Sequence, residues 1–205
     1  MSKLGIDFYQ REDVLTISKE LLGKILCTNF HGKLTTGFIV ETEAYAGVDD
    51  MASHAYGGRR TNRTETMYAP PGTAYVYLCY GMHHLFNVVT NGEGIPHAVL
   101  IRAIEPMEGI DIMLQRRKLS KLLPKLTAGP GILSQALGIS TQHSGISLLG
   151  ENIWIKDNHP SDRSKWSDGY DIISSPRVGC QYAGKDAHNP WRFRIVGNKW
   201  VSPTK

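Results

Sequence analysis

The stretch Ile39-Val40-Glu41-Thr42-Glu43-Ala44-Tyr45 spaces two carboxylates and a phenol two residues apart. Side chains alternate along a strand, so Glu41, Glu43 and Tyr45 share one face while Val40, Thr42 and Ala44 take the other. Two carboxylates beside an aromatic are an odd set for a core face, and one equipped for proton transfer. The plainer alternative is a solvated strand carrying ordinary surface glutamates.

A second group is Tyr75-Val76-Tyr77-Leu78-Cys79-Tyr80-Gly81-Met82-His83-His84-Leu85-Phe86-Asn87. With the turn at Gly81-Met82-His83, the register sets Tyr77 across from Asn87, close enough to share a pocket. Tyr80 then sits beside the turn, free to project. Aromatics at exposed tips suit insertion between bases, where stacking contributes about 1–3 kcal/mol per base. Core packing of tyrosines with their hydroxyls at the rim accounts for the same residues. A third group, Gly57-Gly58-Arg59-Arg60-Thr61-Asn62-Arg63, is a flexible, donor-rich loop suited to phosphate oxygens, or else a mobile solvated one.

Other chemistries find little support. There is no Gly-x-Ser-x-Gly turn, no phosphate-binding Walker loop, no Gly-x-Gly-x-x-Gly fingerprint, and no lysine marked out as an imine-forming amine. The histidines, His83-His84 included, offer no two-ligand spacing, so no metal and no cofactor is expected.

Around these groups the chain reads as follows. Asp13–Leu22 has helical spacing, with Asp13 as N-cap and Gly23 as stop. Lys24–Asn29 and Leu34–Tyr45 read as strands joined at His31-Gly32, and Thr73–Tyr80 and His84–Thr90 as a second hairpin. Val99–Ile104 is a further buried strand. Pro106 suits the first turn of a helix carrying Ile110, Met113 and Leu114, and Gly129–Leu137 forms another. Trp191, Phe193 and Ile195 alternate against Arg192 and Arg194 in a last strand. Strands outnumber helices, hairpins are short and no βαβ rhythm appears. The expected fold class is α+β, a single domain over residues 1–205 with a curved, mostly antiparallel sheet, a partly open barrel or roll, flanked by helices.

Composition agrees with a globular protein: 205 residues, 41% hydrophobic and 20% charged. No apolar run approaches the ~18–20 residues that span a bilayer, and the first residues lack the apolar core of a signal peptide. Three widely spaced cysteines, Cys27, Cys79 and Cys180, fit reduced thiols in a reducing cytoplasm. The net charge of +4 is unevenly placed: −3 over residues 1–56, +5 over 112–128 and +5 over 177–205. A basic C-terminal half points to a polyanion such as nucleic acid, with scattered surface lysines as the bland alternative.

Together these stretches resemble the alkyladenine DNA glycosylases, the 3-methyladenine glycosylases of animals and many bacteria, in the bacterial branch. The matching pieces include Val40-Glu41-Thr42-Glu43-Ala44-Tyr45, His54, Gly57-Gly58-Arg59, and Pro71-Gly72-Thr73-Ala74-Tyr75-Val76-Tyr77. Tyr80-Gly81-Met82, Asn87, Val99-Leu100-Ile101-Arg102-Ala103, Gly129-Pro130, Arg177-Val178-Gly179 and Trp200-Val201-Ser202 continue the series in order, from about Leu21 to Ser202. The resemblance implies a monofunctional enzyme of base excision repair that flips a damaged purine out of double-stranded DNA and hydrolyses its N-glycosidic bond. Expected substrates are alkylated or deaminated purines: 3-methyladenine, 7-methylguanine, hypoxanthine and ethenoadenine. A monomer, cytoplasmic and nucleoid-associated, is expected.

Carried over by position, Glu43 resembles the general base and Arg102 the residue that positions Glu43 and its water. Tyr45, His54 and Tyr77 correspond to residues that enclose the flipped base, and Asn87 to the one that excludes the exocyclic amine of guanine. Tyr80 takes the vacated place in the stack, with Met82 and His83 beside it in the inserting loop. Arg59, Arg63 and Arg177 are the phosphate-contact candidates. Where animal members have an aromatic after Tyr-Gly-Met this chain has His83, and Ile95-Pro96-His97 adds a residue before Arg102. An alkylated purine is already a cation and leaves without an acid, so one carboxylate can suffice. For neutral purines the proton's source is not identified. The competing readings are a module that binds distorted DNA without cutting it, and an RNA or nucleoside hydrolase on a similar scaffold.

Overall fold

The computed structural model describes residues 2–158 and 169–203. Helices α1 (Ile6–Tyr9) and α2 (Val14–Leu21) precede a hairpin of β1 (Ile25–Phe30) and β2 (Lys33–Ala46). A second hairpin, β3 (Ala74–Cys79) and β4 (His83–Thr90), leads through β5 (His97–Glu108) to α3 (Ile110–Arg117) and α4 (Pro130–Leu137). Three short strands follow: β6 (Ile153–Lys156), β7 (Ile172–Ser175) and β8 (Arg192–Ile195). The last matches the strand expected from its alternating residues; β6 and β7, like it four residues each, lie outside the strands expected from the sequence.

The eight strands among the described residues pair antiparallel in one curled sheet, six of them in the order β3-β4-β5-β2-β1-β6, and the fold class is α+β. Strand β2 is its spine. One edge of β2 pairs along β5; the other pairs first with β1 and then, over Glu41–Glu43, with β8, which β7 extends. Helix α2 covers one face of this spine, capped by Asp13, whose carboxylate accepts from the amides of Leu15 and Thr16 at 2.9 and 3.1 Å. Its Ser18 meets Thr42 of β2 in a buried hydroxyl contact of 3.0 Å, beside Val40 and Ala44 in the main core. The opposite face of β2 is left for Glu41 and Glu43.

Beyond a first shift between Thr36 and Gly37, the ladder between β2 and β5 slips twice around Glu41, between Ile39 and Glu41 and again between Glu41 and Thr42. Val40 and Arg102 are the residues left over. Bulges of this kind re-aim side chains, and here the extra residue on β5 is the arginine that meets both glutamates.

Two expectations are corrected. Pro106 does not open a helix; it lies in β5 opposite Gly37. Strand β4 pairs with β5 only over His97–Leu100, so the outer edge at Pro106 needs no amide donor. Gly109 makes the break instead, with φ 71° ahead of α3. The turn of the β3–β4 hairpin also falls one residue earlier than read: Cys79 pairs with His83, and Tyr75, not Tyr77, lies opposite Asn87. Tyr80 and Gly81 both have positive φ (49° and 70°) and the Met82 amide donates to the Cys79 carbonyl at 3.2 Å, as in turns whose twist suits hairpins.

Gly109 supplies the fold's own test. A β-carbon there would stand 2.2 Å from the Leu34 carbonyl oxygen, on a backbone that disfavours side chains. Gly109→Ala is expected to lower the unfolding free energy by about 2–4 kcal/mol in urea denaturation.

Candidate active site

The two glutamates of β2 are both fully buried, and their partners divide the labour. Glu41 Oε1 accepts from Arg102 Nε at 2.8 Å, Arg192 Nε at 2.7 Å and Ser202 Oγ at 2.8 Å, while Oε2 accepts from the Ser202 amide at 2.6 Å. Burial works against its charge, but Arg102 and Arg192 outweigh it and hold the carboxyl below the usual range. Glu41 is thus committed to the framework.

Glu43 lines a cleft of about 1100 Å³. Its Oε1 accepts from the Val178 amide at 2.8 Å and lies 3.3 Å from Arg102 Nη1; its Oε2 accepts from the Tyr45 hydroxyl at 2.9 Å. All three neighbours are donors, an environment built for a carboxylate. Burial works against the charge of Arg102 as well, yet Glu43 and Glu41 together hold its pKa above the ordinary arginine value. One guanidinium therefore couples the framework acid to the acid in the cleft.

The cleft walls are aromatic. Tyr45 keeps its proton, raised by burial and then by Glu43 beside it, so it stays a donor. His54 stands edge-on to Tyr77 with ring centroids 4.6 Å apart, its Nδ1 2.9 Å from the Tyr75 hydroxyl and its Nε2 3.3 Å from Arg63 Nη2. An arginine can only donate, so Nε2 accepts and Nδ1 carries the hydrogen. Burial, Arg63 and Arg59 lower the His54 pKa to about 4, leaving the ring neutral at neutral pH. Burial likewise pushes the Tyr75 phenol up to about 12. Asn87 spends its amide hydrogens on the carbonyls of Tyr75 (3.1 Å) and Leu85 (3.3 Å), leaving its side-chain oxygen free of that framework.

At the mouth stands the β3–β4 tip, with Tyr80 90% and Met82 69% exposed. Few non-glycine residues take positive φ, and the strain here holds an aromatic ring out in solvent. His83, also exposed, packs beside Gly131 at the start of α4, whose first residues form the facing rim.

Comparison with known proteins agrees with this geometry. The family described as Methylpurine-DNA glycosylase (MPG) matches residues 7–199. Proteins named "Putative 3-methyladenine DNA glycosylase" align along almost the full length. One from Clostridium perfringens is 46% identical over 98% of this chain and 98% of its own. Others come from Bacillus cytotoxicus (46%, covering 95% and 97%) and Chlamydia felis (48%, covering 92% and 93%). The chain belongs to the methylpurine-DNA glycosylase family. It is a DNA glycosylase, a hydrolase of N-glycosyl bonds, with DNA as its substrate. Among the described residues no helix is long and apolar enough to cross a membrane.

Within this glycosylase, Glu43, Arg102, Tyr45, His54, Tyr77 and Asn87 all line one cleft, and Tyr80 and His83 line its mouth. Arg177 does not sit where the sequence reading puts it. Its side chain is fully buried, clamping Asp50 at 2.5 and 2.8 Å, donating to the Ala44 carbonyl at 2.9 Å, and stacking on Tyr45 and Trp191 at 4.8 and 4.9 Å. It props up Tyr45 from behind and cannot reach a phosphate. The basic charge counted over 177–205 is correspondingly weaker at the surface, since Arg192 is also internal. Lys118, Lys121 and Lys125 of the earlier basic stretch are exposed. Arg59 is exposed, without a carboxylate partner among the described residues, whereas Arg60 is held by Glu65.

Sequence reasoning missed Asp50, Tyr75, Arg192, Ser202 and the Val178 amide. A signal existed for Arg192. Two acids on the inner face of a buried strand require nearby cations, and Arg192 is in a short alternating strand.

Two outcomes follow. Arg177→Gln leaves buried Asp50 without its cation and is expected to cost about 3–5 kcal/mol of stability in denaturant titration. His54 has a folded pKa near 4, below its unfolded value of 6.5, so the unfolded chain binds the extra proton between them. Stability is therefore expected to fall as pH drops from 6.5 toward 4, and His54→Gln to flatten that part of the profile.

Proposed function

We propose that this chain is a monofunctional, monomeric glycosylase of base excision repair in the cytoplasm, associated with the nucleoid. It flips damaged purines from duplex DNA and excises them with water activated by Glu43. One observation carries the reading: a buried carboxylate, held by three donors, opens into an aromatic-walled cleft beside an exposed tyrosine tip. A module that only bound distorted DNA would gain nothing from burying this acid and supplying it with donors.

The chemistry then runs as follows. The C1′–N9 bond breaks and its electron pair passes to the purine. Water adds to C1′ and its proton passes to Glu43, while the carboxylate stabilises positive charge on the sugar. Arg102 is anchored on Glu41, so Glu43 is positioned before substrate arrives. An N-alkylated purine receives the pair and leaves neutral. Tyr45 and Tyr77 provide faces for an electron-poor ring, an attraction of roughly 0.5–2 kcal/mol.

Flipping costs a few kcal/mol, least where damage has weakened pairing. Tyr80, flanked by Met82 and His83, fills the gap and offsets part of that cost. Asn87, fixed by its two carbonyl bonds, excludes the exocyclic amine of guanine. Arg59 and the lysines of 118–125 meet phosphate. The substrate range is alkylated and deaminated purines: 3-methyladenine, 7-methylguanine, hypoxanthine and ethenoadenine.

Glu43→Gln tests the assignment. The amide keeps the shape and leaves Arg102 paired with Glu41, so folding and binding to lesion-containing duplex should persist. Base release in a single-turnover assay should fall by about 1000-fold or more, as expected when the base is lost. Release at the wild-type rate would remove Glu43 from the mechanism.

A further inference from the structure

The sequence reading assigns Arg63 to phosphate; the residue is exposed, but its guanidinium lies against the wall of the cleft. It lies 4.9 Å from the centre of the Tyr77 ring, donates to His54 Nε2 at 3.3 Å, and lines the same cleft as Glu43. No acidic side chain among the described residues pairs with it. The contrast with Tyr45 is direct. Arg177, the cation behind that ring, is bound two-pronged to Asp50 and so contributes little net charge.

We propose that Arg63 is a specificity-determining residue of the base pocket, setting the balance between cationic and neutral purines. This rests on the glycosylase reading above. When the C1′–N9 bond breaks, the electron pair goes to the purine ring. A cationic N-alkylated purine is thereby neutralised: it is positive when bound and loses charge as it leaves. A neutral purine instead gains negative charge as it leaves, until a proton reaches it. An unpaired cation beside Tyr77 repels the first in the bound state and stabilises the second in the transition state. This gives neutral purines an electrostatic aid to departure without a dedicated acid. The neutral state of His54, pressed by burial, by Arg63 and by Arg59, fits a pocket in which, among the described lining residues, this guanidinium is the charge without a counterion.

Single-turnover excision from duplexes carrying 7-methylguanine or hypoxanthine tests it, comparing wild type with Arg63→Gln and Arg63→Lys. Gln retains a donor for His54 but removes the charge. The ratio of rate to half-saturating concentration, 7-methylguanine over hypoxanthine, should rise about fivefold to tenfold in Arg63→Gln, as loss of a partly screened charge at this range allows. That rise should divide into tighter binding of the cationic lesion and slower release of the neutral one. Arg63→Lys, which keeps the charge, should return the ratio to within about twofold of wild type.

An unchanged ratio in Arg63→Gln overturns the proposal. So does an equal loss on both duplexes with a shallower salt dependence, which marks a phosphate contact. Wild-type release of 7-methylguanine with none of hypoxanthine also overturns it. If wild type releases neither base, the glycosylase reading itself fails.

Discussion

Burying two carboxylates side by side on one strand is the constraint around which the rest of this structure is arranged. Each ionised acid removed from water costs several kcal/mol that only close cations and hydrogen-bond donors can return. Glu41 and Glu43 meet that demand through a shared guanidinium, Arg102, which a bulge in β5 turns toward both of them. Arg192 and Ser202 complete the set, so that the last strand and the segment after it are drawn across the end of β2. Four charged groups in contact come to net neutrality. The acid that faces the cleft has its orientation fixed by the acid that does not.

The same economy governs the walls. Tyr45 and Tyr77 each have an arginine against the ring, but the two cations differ in what balances them. Arg177 is neutralised by Asp50 and serves as scaffolding behind Tyr45. Asp50 also accepts from the amides of Ala46 and Ala52, which fastens the chain where it leaves β2. Arg63 meets only neutral groups among the described residues, the His54 imidazole and the phenols of Tyr75 and Tyr77. A pocket is thereby divided into a side that is electrostatically closed and one that retains charge.

Rigidity is graded across the site. The carboxylates lie in the buried sheet, where several polar bonds converge on each carboxylate. The Tyr80 tip hangs on one turn hydrogen bond, with its ring in solvent and its backbone in a disfavoured region. A catalytic group must be held within a fraction of an ångström, whereas a side chain that enters a duplex must be available to it.

Much of this was legible in the residues. Alternation put Glu41, Glu43 and Tyr45 on one face, apolar spacing and the Asp13 cap marked α2, and the stretch from Gly129 to Leu137 marked α4, because such features depend on neighbours in the chain. Pro106 misled because whether a proline tolerates a strand depends on which edge lacks a partner. The hairpin pairing shifted by two residues because the turn was set one position earlier, by backbone twist at Tyr80 and Gly81. Arg177 misled most, since its sequence surroundings look like any basic loop. The chain order thus determined the local elements, the motif residues and the family they resemble. Only the folded structure decided which groups hold each acid in place, and which arginines lie inside. Those roles depend on charges more than fifty residues apart being desolvated together, and no local pattern records that.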